Sequence, residues 1–157
     1  MESNLYRNIV IATDGSENTQ TAVSYGIEIA RLSGATVYAL HVIDTHHIIS
    51  EGWTVGKKTI REMMKADGEK MVSEIREIGE VSGVKVKEVL LYGHPSEEII
   101  NFAENNSIDL IVMGTLGKTG LDRFLIGSVA GKVVRGSKVP VMVVRTEIFE
   151  GSENKKA

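Results

Sequence analysis

The chain has 157 residues, 42% apolar and 25% charged, with a net charge of -3 and no cysteine. That length and balance describe one globular domain with enough chain to bury a core, and the lack of cysteine excludes disulfides, thiol catalysis and cysteine-ligated metals. The charge leaves no electrostatic footprint for nucleic acid or an anionic membrane, no apolar run reaches bilayer length, and Met1-Glu2-Ser3-Asn4 lacks the features of a secretion signal, so a cytoplasmic location is expected.

Tyr6 to Thr13, centred on Ile9-Val10-Ile11, reads as a buried strand. Asp14-Gly15-Ser16 is a turn with Ser16 as a candidate N-cap, and a helix follows to Ser33, with Gly34 as its terminator. Ala35 to Ile43 is a second strand, and Asp44 to Val55 is irregular. Gly56 to Ser82 has helical spacing, with Ile60, Met64, Met71, Ile75 and Ile78 near one stripe that breaks around Asp67-Gly68. Val84 to Leu91 alternates apolar residues with lysines, as a half-exposed edge strand does. Gly93-His94-Pro95 is a turn with Pro95 suited to a first helical position, and a helix runs from Ser96 to Asn105. Ile108 to Met113 is a fourth strand, a helix beginning near Leu125 runs to Arg135, and Val139 to Val144 is a fifth strand. Residues 1–146 form the expected domain, and 147–157 a polar tail.

Strands that alternate with helices call for an α/β doubly wound parallel sheet with helices on both faces. Such sheets bind ligands at the C-terminal ends of strands where the strand order reverses. Two turns qualify, Thr13-Asp14-Gly15 and the run Gly114-Thr115-Leu116-Gly117-Lys118-Thr119-Gly120. The second run is glycine-rich, lies between a buried strand and a helix, and is followed by Gly127-Ser128. Backbone N–H groups in such a turn approach an anion closely, and the helix N-terminus adds a favourable dipole. It is not a P-loop, because Val112 stands where the first glycine would be. It is not the dinucleotide fingerprint either, because Gly114 and Gly117 are too widely spaced for the first pair. Structural turn glycines, a capping Ser128 and a turn-forming Asp14 are the competing local readings. His41 reads as a packed histidine, and His46-His47 as a solvated loop that lacks a metal-binding partner.

At these residues the chain resembles the ATP-binding branch of the universal stress protein family. The spacing Gly114, Gly117, Gly127 and Ser128 matches the family signature of glycine, two residues, glycine, nine residues, glycine and a hydroxyl residue. Ile9-Val10-Ile11-Ala12-Thr13-Asp14-Gly15-Ser16, Leu40-His41-Val42 and Val139-Pro140-Val141 extend the likeness along nearly the whole chain. The resemblance implies a flavodoxin-like, Rossmann-like five-stranded sheet of order 3-2-1-4-5. It implies that Asp14 meets ribose or the metal–phosphate region, Val42 meets adenine through its backbone, and Met113 lies beside the nucleoside. Gly114, Gly117, Gly127 and Ser128 would wrap the phosphates, and Ala12, Thr13, Lys118 and Val129 complete the expected contact set. Many relatives carry a basic residue or histidine where this chain has Leu116, which lowers the expected grip on a triphosphate; Lys118 or Arg123 are loop cations able to compensate.

The expected function is therefore an ATP-binding stress-response or signalling module, with ADP or AMP as alternative ligands and Mg2+ or Mn2+ accompanying the phosphates. A non-nucleotide-binding dimer of the same fold and a slow ATP hydrolase are the alternatives. The edge strand Val139 to Val144 is the expected homodimer contact, with no nucleic-acid or membrane partner.

Overall fold

Two segments dense in branched aliphatics become interior strands of the sheet, β1 (Asn8–Ala12) at its centre and β4 (Leu110–Gly114) beside it. The computed structural model describes residues 4–46, 54–115 and 126–146. Between and beyond those strands lie α1 (Glu17–Ser33), β2 (Thr36–Asp44), α2 (Thr54–Val81), β3 (Val86–Gly93), α3 (Pro95–Asn105), α4 (Ser128–Gly136) and β5 (Val141–Val144). The strands form one parallel sheet of order β3-β2-β1-β4-β5, so the expected α/β doubly wound architecture is the one observed.

Side chains alternate across the sheet and build a separate core on each face. Ile9, Ile11, Val37, Ala39 and Val112 face α1 and α2, packing on Ala22, Val23, Ile27, Val72 and Ile75. Val10, Leu40, Val42, Ile111 and Met113 face α3 and α4, packing on Ile99, Ala103, Ala130 and Val133. Ile9, Val10, Ile11, Ile111 and Val112 are all 0% exposed, which is why β1 and β4 read as nearly continuous apolar runs. Each such side chain contributes roughly 1.5–3 kcal/mol by leaving water.

Several boundaries differ from the sequence expectation for physical reasons. Ile108 is buried but precedes β4, because Asp109 takes both the Arg7 and Asn8 N–H groups on its Oδ2 atom at 2.8 and 2.9 Å. That carboxylate satisfies the backbone where β1 enters the sheet, so the polar residue inside the apolar run has a cross-chain role. Helix α2 begins at Thr54, two residues earlier than expected, and continues unbroken through Asp67-Gly68. In its second half Val72 and Ile75 are buried, whereas Ile78 is 46% exposed, so the inward stripe is narrower than periodicity implied. The start expected near Leu125 lies outside the described residues, and α4 is helical from Ser128.

Candidate functional site

The strand order reverses at β1, which has β2 on one side and β4 on the other. At that switch point, beyond the strand ends, a cavity of about 370 Å³ opens, within the range of small-molecule sites. Ala12, Thr13, Asp14, Val42, Met113, Gly114, Gly127, Ser128 and Val129 all line it. Nine of the expected site residues, drawn from four separate segments, are thus brought together. Gly117 and Lys118 lie outside the described residues, as do Leu116, Arg123 and His47.

One end of the cavity is apolar. Ala12, Leu40, Val42, Ile99, Met113 and Ala130 belong to the core on the α3/α4 face and reach the cavity at the strand ends. The backbone here is polar and directed. The Thr36 N–H donates to Arg7 and the Leu40 carbonyl accepts from Thr13, each at 2.9 Å, so even-numbered β2 residues turn their backbone groups toward β1. Odd-numbered ones turn to β3, as the Val37 N–H does to Lys85. β1 ends at Ala12, opposite Leu40. Val42, two residues further, therefore directs its N–H and C=O into space that β1 has vacated.

The other end is built for an anion. Within α4 the first internal hydrogen bond runs from the Gly131 N–H to the Gly127 carbonyl at 2.8 Å. The N–H groups of Ser128, Val129 and Ala130 consequently have no acceptor inside the helix. The helix has no side-chain cap and no acidic residue in its first turn, so no side chain of its own offsets the positive end of its dipole. Ser128 is the first helical residue and Gly127 holds the cap position, so Ser128 has no capping role. The Gly127 N–H donates to the Thr115 carbonyl at 2.6 Å, and the Thr115 N–H to the Val144 carbonyl at 3.1 Å, tying both ends of the glycine-rich segment to the sheet.

The β1–α1 turn makes the third wall, and its side chains are mostly committed to each other. Asp14 Oδ1 accepts from the Ser16 N–H at 2.9 Å, and Thr13 Oγ1 from the Gly15 N–H at 3.0 Å. The Thr19 hydroxyl donates to the Ser16 carbonyl at 2.8 Å, so in its 3.3 Å pair with Thr13 it must accept. The Thr13 hydroxyl therefore spends its proton inside the turn. Ser16 occupies the N-cap position without making a cap bond, and its Oγ is buried without a partner. Asp14 organises the turn in its place, as an Asx turn does. Of the two Asp14 oxygens, Oδ2 is the one left for a ligand, and among the described lining residues Asp14 is the one carboxylate.

Leu40, His41, Pro95, Ile99, Thr115, Thr19 and Ala130 also line the cavity and were not singled out as ligand contacts from sequence. His41, Thr115 and Ala130 adjoin residues that were, so extending each motif by one position would have found them; Leu40 lies one position further. Pro95 and Ile99 carry no local signal, because they reach the site only through the packing of α3 on the sheet. His46 is exposed, with its ring 6.2 Å from that of His94, and among the described residues no group of three or more potential metal ligands occurs. Among the described residues no helix is long and apolar enough to cross a membrane.

The model of the universal stress protein family matches residues 5–145. A universal stress protein of Methanocaldococcus jannaschii, MJ0531, is 42% identical over 142 residues, covering 90% of this chain and 84% of its own length. A solved structure of MJ0577, from the same organism, superposes with a TM-score of 0.81 at 33% identity, covering 91% of this chain and 98% of that one. The universal stress protein of Archaeoglobus fulgidus in complex with dAMP superposes with a TM-score of 0.66 at 27% identity, covering 90% and 99%.

Proposed function

The chain belongs to the universal stress protein family, and on that premise we propose that it binds ATP and acts as a nucleotide-dependent module in stress response or signalling. The observation that carries the proposal is the pairing, in one cavity, of an apolar crevice with an uncapped helix end. Adenine presents a ring acceptor beside an exocyclic amine, and the Val42 N–H and C=O match that pair. Ala12, Leu40, Val42, Ile99 and Met113 supply the apolar walls for its faces. The Asp14 Oδ2 atom would accept from a ribose hydroxyl. The α-phosphate would meet the N–H groups of Ser128, Val129 and Ala130, with the Ser128 hydroxyl beside them.

The dAMP complex of the Archaeoglobus fulgidus relative supports the adenine assignment. A divalent cation would arrive with the triphosphate and take few protein ligands, as Mg2+ usually does; Asp14 would serve it in place of the ribose hydroxyl. Gly117 and Lys118 are assigned to the outer phosphates from the family spacing. At about 0.3 kcal/mol per heavy atom, a ligand the size of ATP reaches micromolar affinity. Calorimetric titration of dialysed protein with ATP and AMP, magnesium present, should give dissociation constants in that range. Absence of binding by both ligands would remove the nucleotide from the function and leave a dimeric interaction protein of the same fold.

The same premise leads us to propose a homodimer formed through residues 139–144. β5 is four residues long and lies at the sheet edge, with Val141, Met142 and Val143 only partly buried. A second copy pairing along that edge would satisfy its backbone and cover those side chains.

A further inference from the structure

We infer that His41 is a positioning residue for the nucleotide loop: its imidazole, wedged against α2 at Gly68, holds the Thr13 carbonyl and so sets the backbone that presents Asp14. The inference rests on the nucleotide reading above. His41 Nδ1 lies 2.8 Å from the Thr13 carbonyl oxygen. A carbonyl only accepts, so Nδ1 must carry the proton, and this bond selects the tautomer of the neutral ring. The same Thr13 donates its N–H to Leu40 at 2.9 Å and uses its hydroxyl within the turn. The His41 bond completes the set and fixes the peptide that leads into Asp14.

The far side of the ring has no slack. A Cβ on Gly68 would fall 2.9 Å from His41 Cδ2 and 2.6 Å from Leu90 Cδ1, so α2 rests directly on the ring. One helical turn further, Met71 lies over Gly15: a Cβ there would stand 2.7 Å from Cε and 2.9 Å from Sδ. Gly15 also has φ of +76°, a conformation that glycine adopts without strain. Helix α2 thus reaches the loop twice, through His41 to Thr13 and through Met71 to Gly15. Both contacts come from the α1/α2 side of the sheet, opposite the apolar crevice.

Three variants and one wild-type measurement test the assignment. Nitrogen chemical shifts of the His41 ring should report the Nδ1–H form at neutral ring charge; the Nε2–H form would overturn the inference. His41→Phe keeps a ring but loses the donor, and should raise the backbone mobility of Gly15 and Ser16 in NMR relaxation. It should also weaken AMP binding by about three- to tenfold, the effect of one hydrogen bond. His41→Asn places an amide N–H near the Nδ1 position and should restore both readouts to within about twofold of wild type. Gly68→Ala, which crowds the ring without touching the loop, should behave like His41→Phe. An Asn variant indistinguishable from Phe would reduce His41 to packing and overturn the role. If wild-type protein binds no AMP, the nucleotide reading fails, while the tautomer and the loop mobility still decide whether His41 positions the turn.

Discussion

Asp14 lines the cavity and closes its turn with one oxygen, Oδ1, which leaves Oδ2 for a ligand. Asparagine can keep the turn through its carbonyl oxygen but offers the ligand a donor in place of an acceptor; alanine loses both. Asp14→Asn is therefore expected to keep its melting temperature and lose ATP affinity, whereas Asp14→Ala loses affinity and about 1 kcal/mol of stability. Thermal melts run beside calorimetry read the difference, and equal stability of the two variants would contradict the turn role. Gly127 and Gly114 serve the site for different reasons. Gly127 has φ of -56°, open to any residue, so its backbone conformation does not require glycine. Gly127→Val should lower ATP affinity at least about tenfold while costing below about 1 kcal/mol of stability; unchanged affinity contradicts the phosphate cradle. A side chain at Gly114 would instead meet the Asn18 carbonyl oxygen at 2.9 Å, so this signature glycine also lets the end of β4 approach the first turn of α1.

The elements show which apolar residues carry stability. Ile111, in β4, has no exposed surface and packs among residues of β1, β2, α3 and α4. Ile111→Ala should cost about 2–5 kcal/mol, the range for large-to-small changes in a rigid core. Ile78 belongs to the periodic stripe of α2 in the sequence, yet it is 46% exposed. Ile78→Ala should cost below about 1 kcal/mol, since little apolar area is removed from its contacts. Denaturant unfolding of the two variants separates the readings, and equal losses would return Ile78 to the core. Gly68 explains why the helix does not break where its apolar pattern does. The gap in the stripe marks the place where α2 approaches His41 and Leu90 too closely for a side chain.

At the scale of the whole molecule, β5 is a lateral strand of the sheet. Among the described residues no strand pairs with its outer edge, and the proposed dimer would set a second copy of the chain there. Static light scattering at micromolar concentration should give twice the 17.1 kDa chain mass. Val143→Lys should shift that mass toward one chain, because a charge would enter the buried contact. A wild-type monomer under those conditions removes the dimer. Since the cavity lies at the strand ends while β5 is the lateral edge, the lysine variant should retain ATP binding.

Element order, the parallel sheet and the glycine spacing were legible because each rests on local chemistry: apolar periods, turn residues and fixed intervals along the chain. Gly34 shows the strength of that reading, ending α1 in the left-handed conformation as its position suggested. Other features are pairwise facts between distant segments. That Asp109 receives the start of β1, that Asp14 and not Ser16 organises the first turn, and that Pro95 and Ile99 wall the cavity follow from packing across the sheet. The backbone of Val42 is the clearest case. Its sequence marks a strand, but its N–H and C=O face the cavity because β1 stops opposite Leu40 while β2 runs on to Asp44. Local sequence can specify each strand; only their register in the folded sheet leaves those two backbone groups without a neighbouring strand.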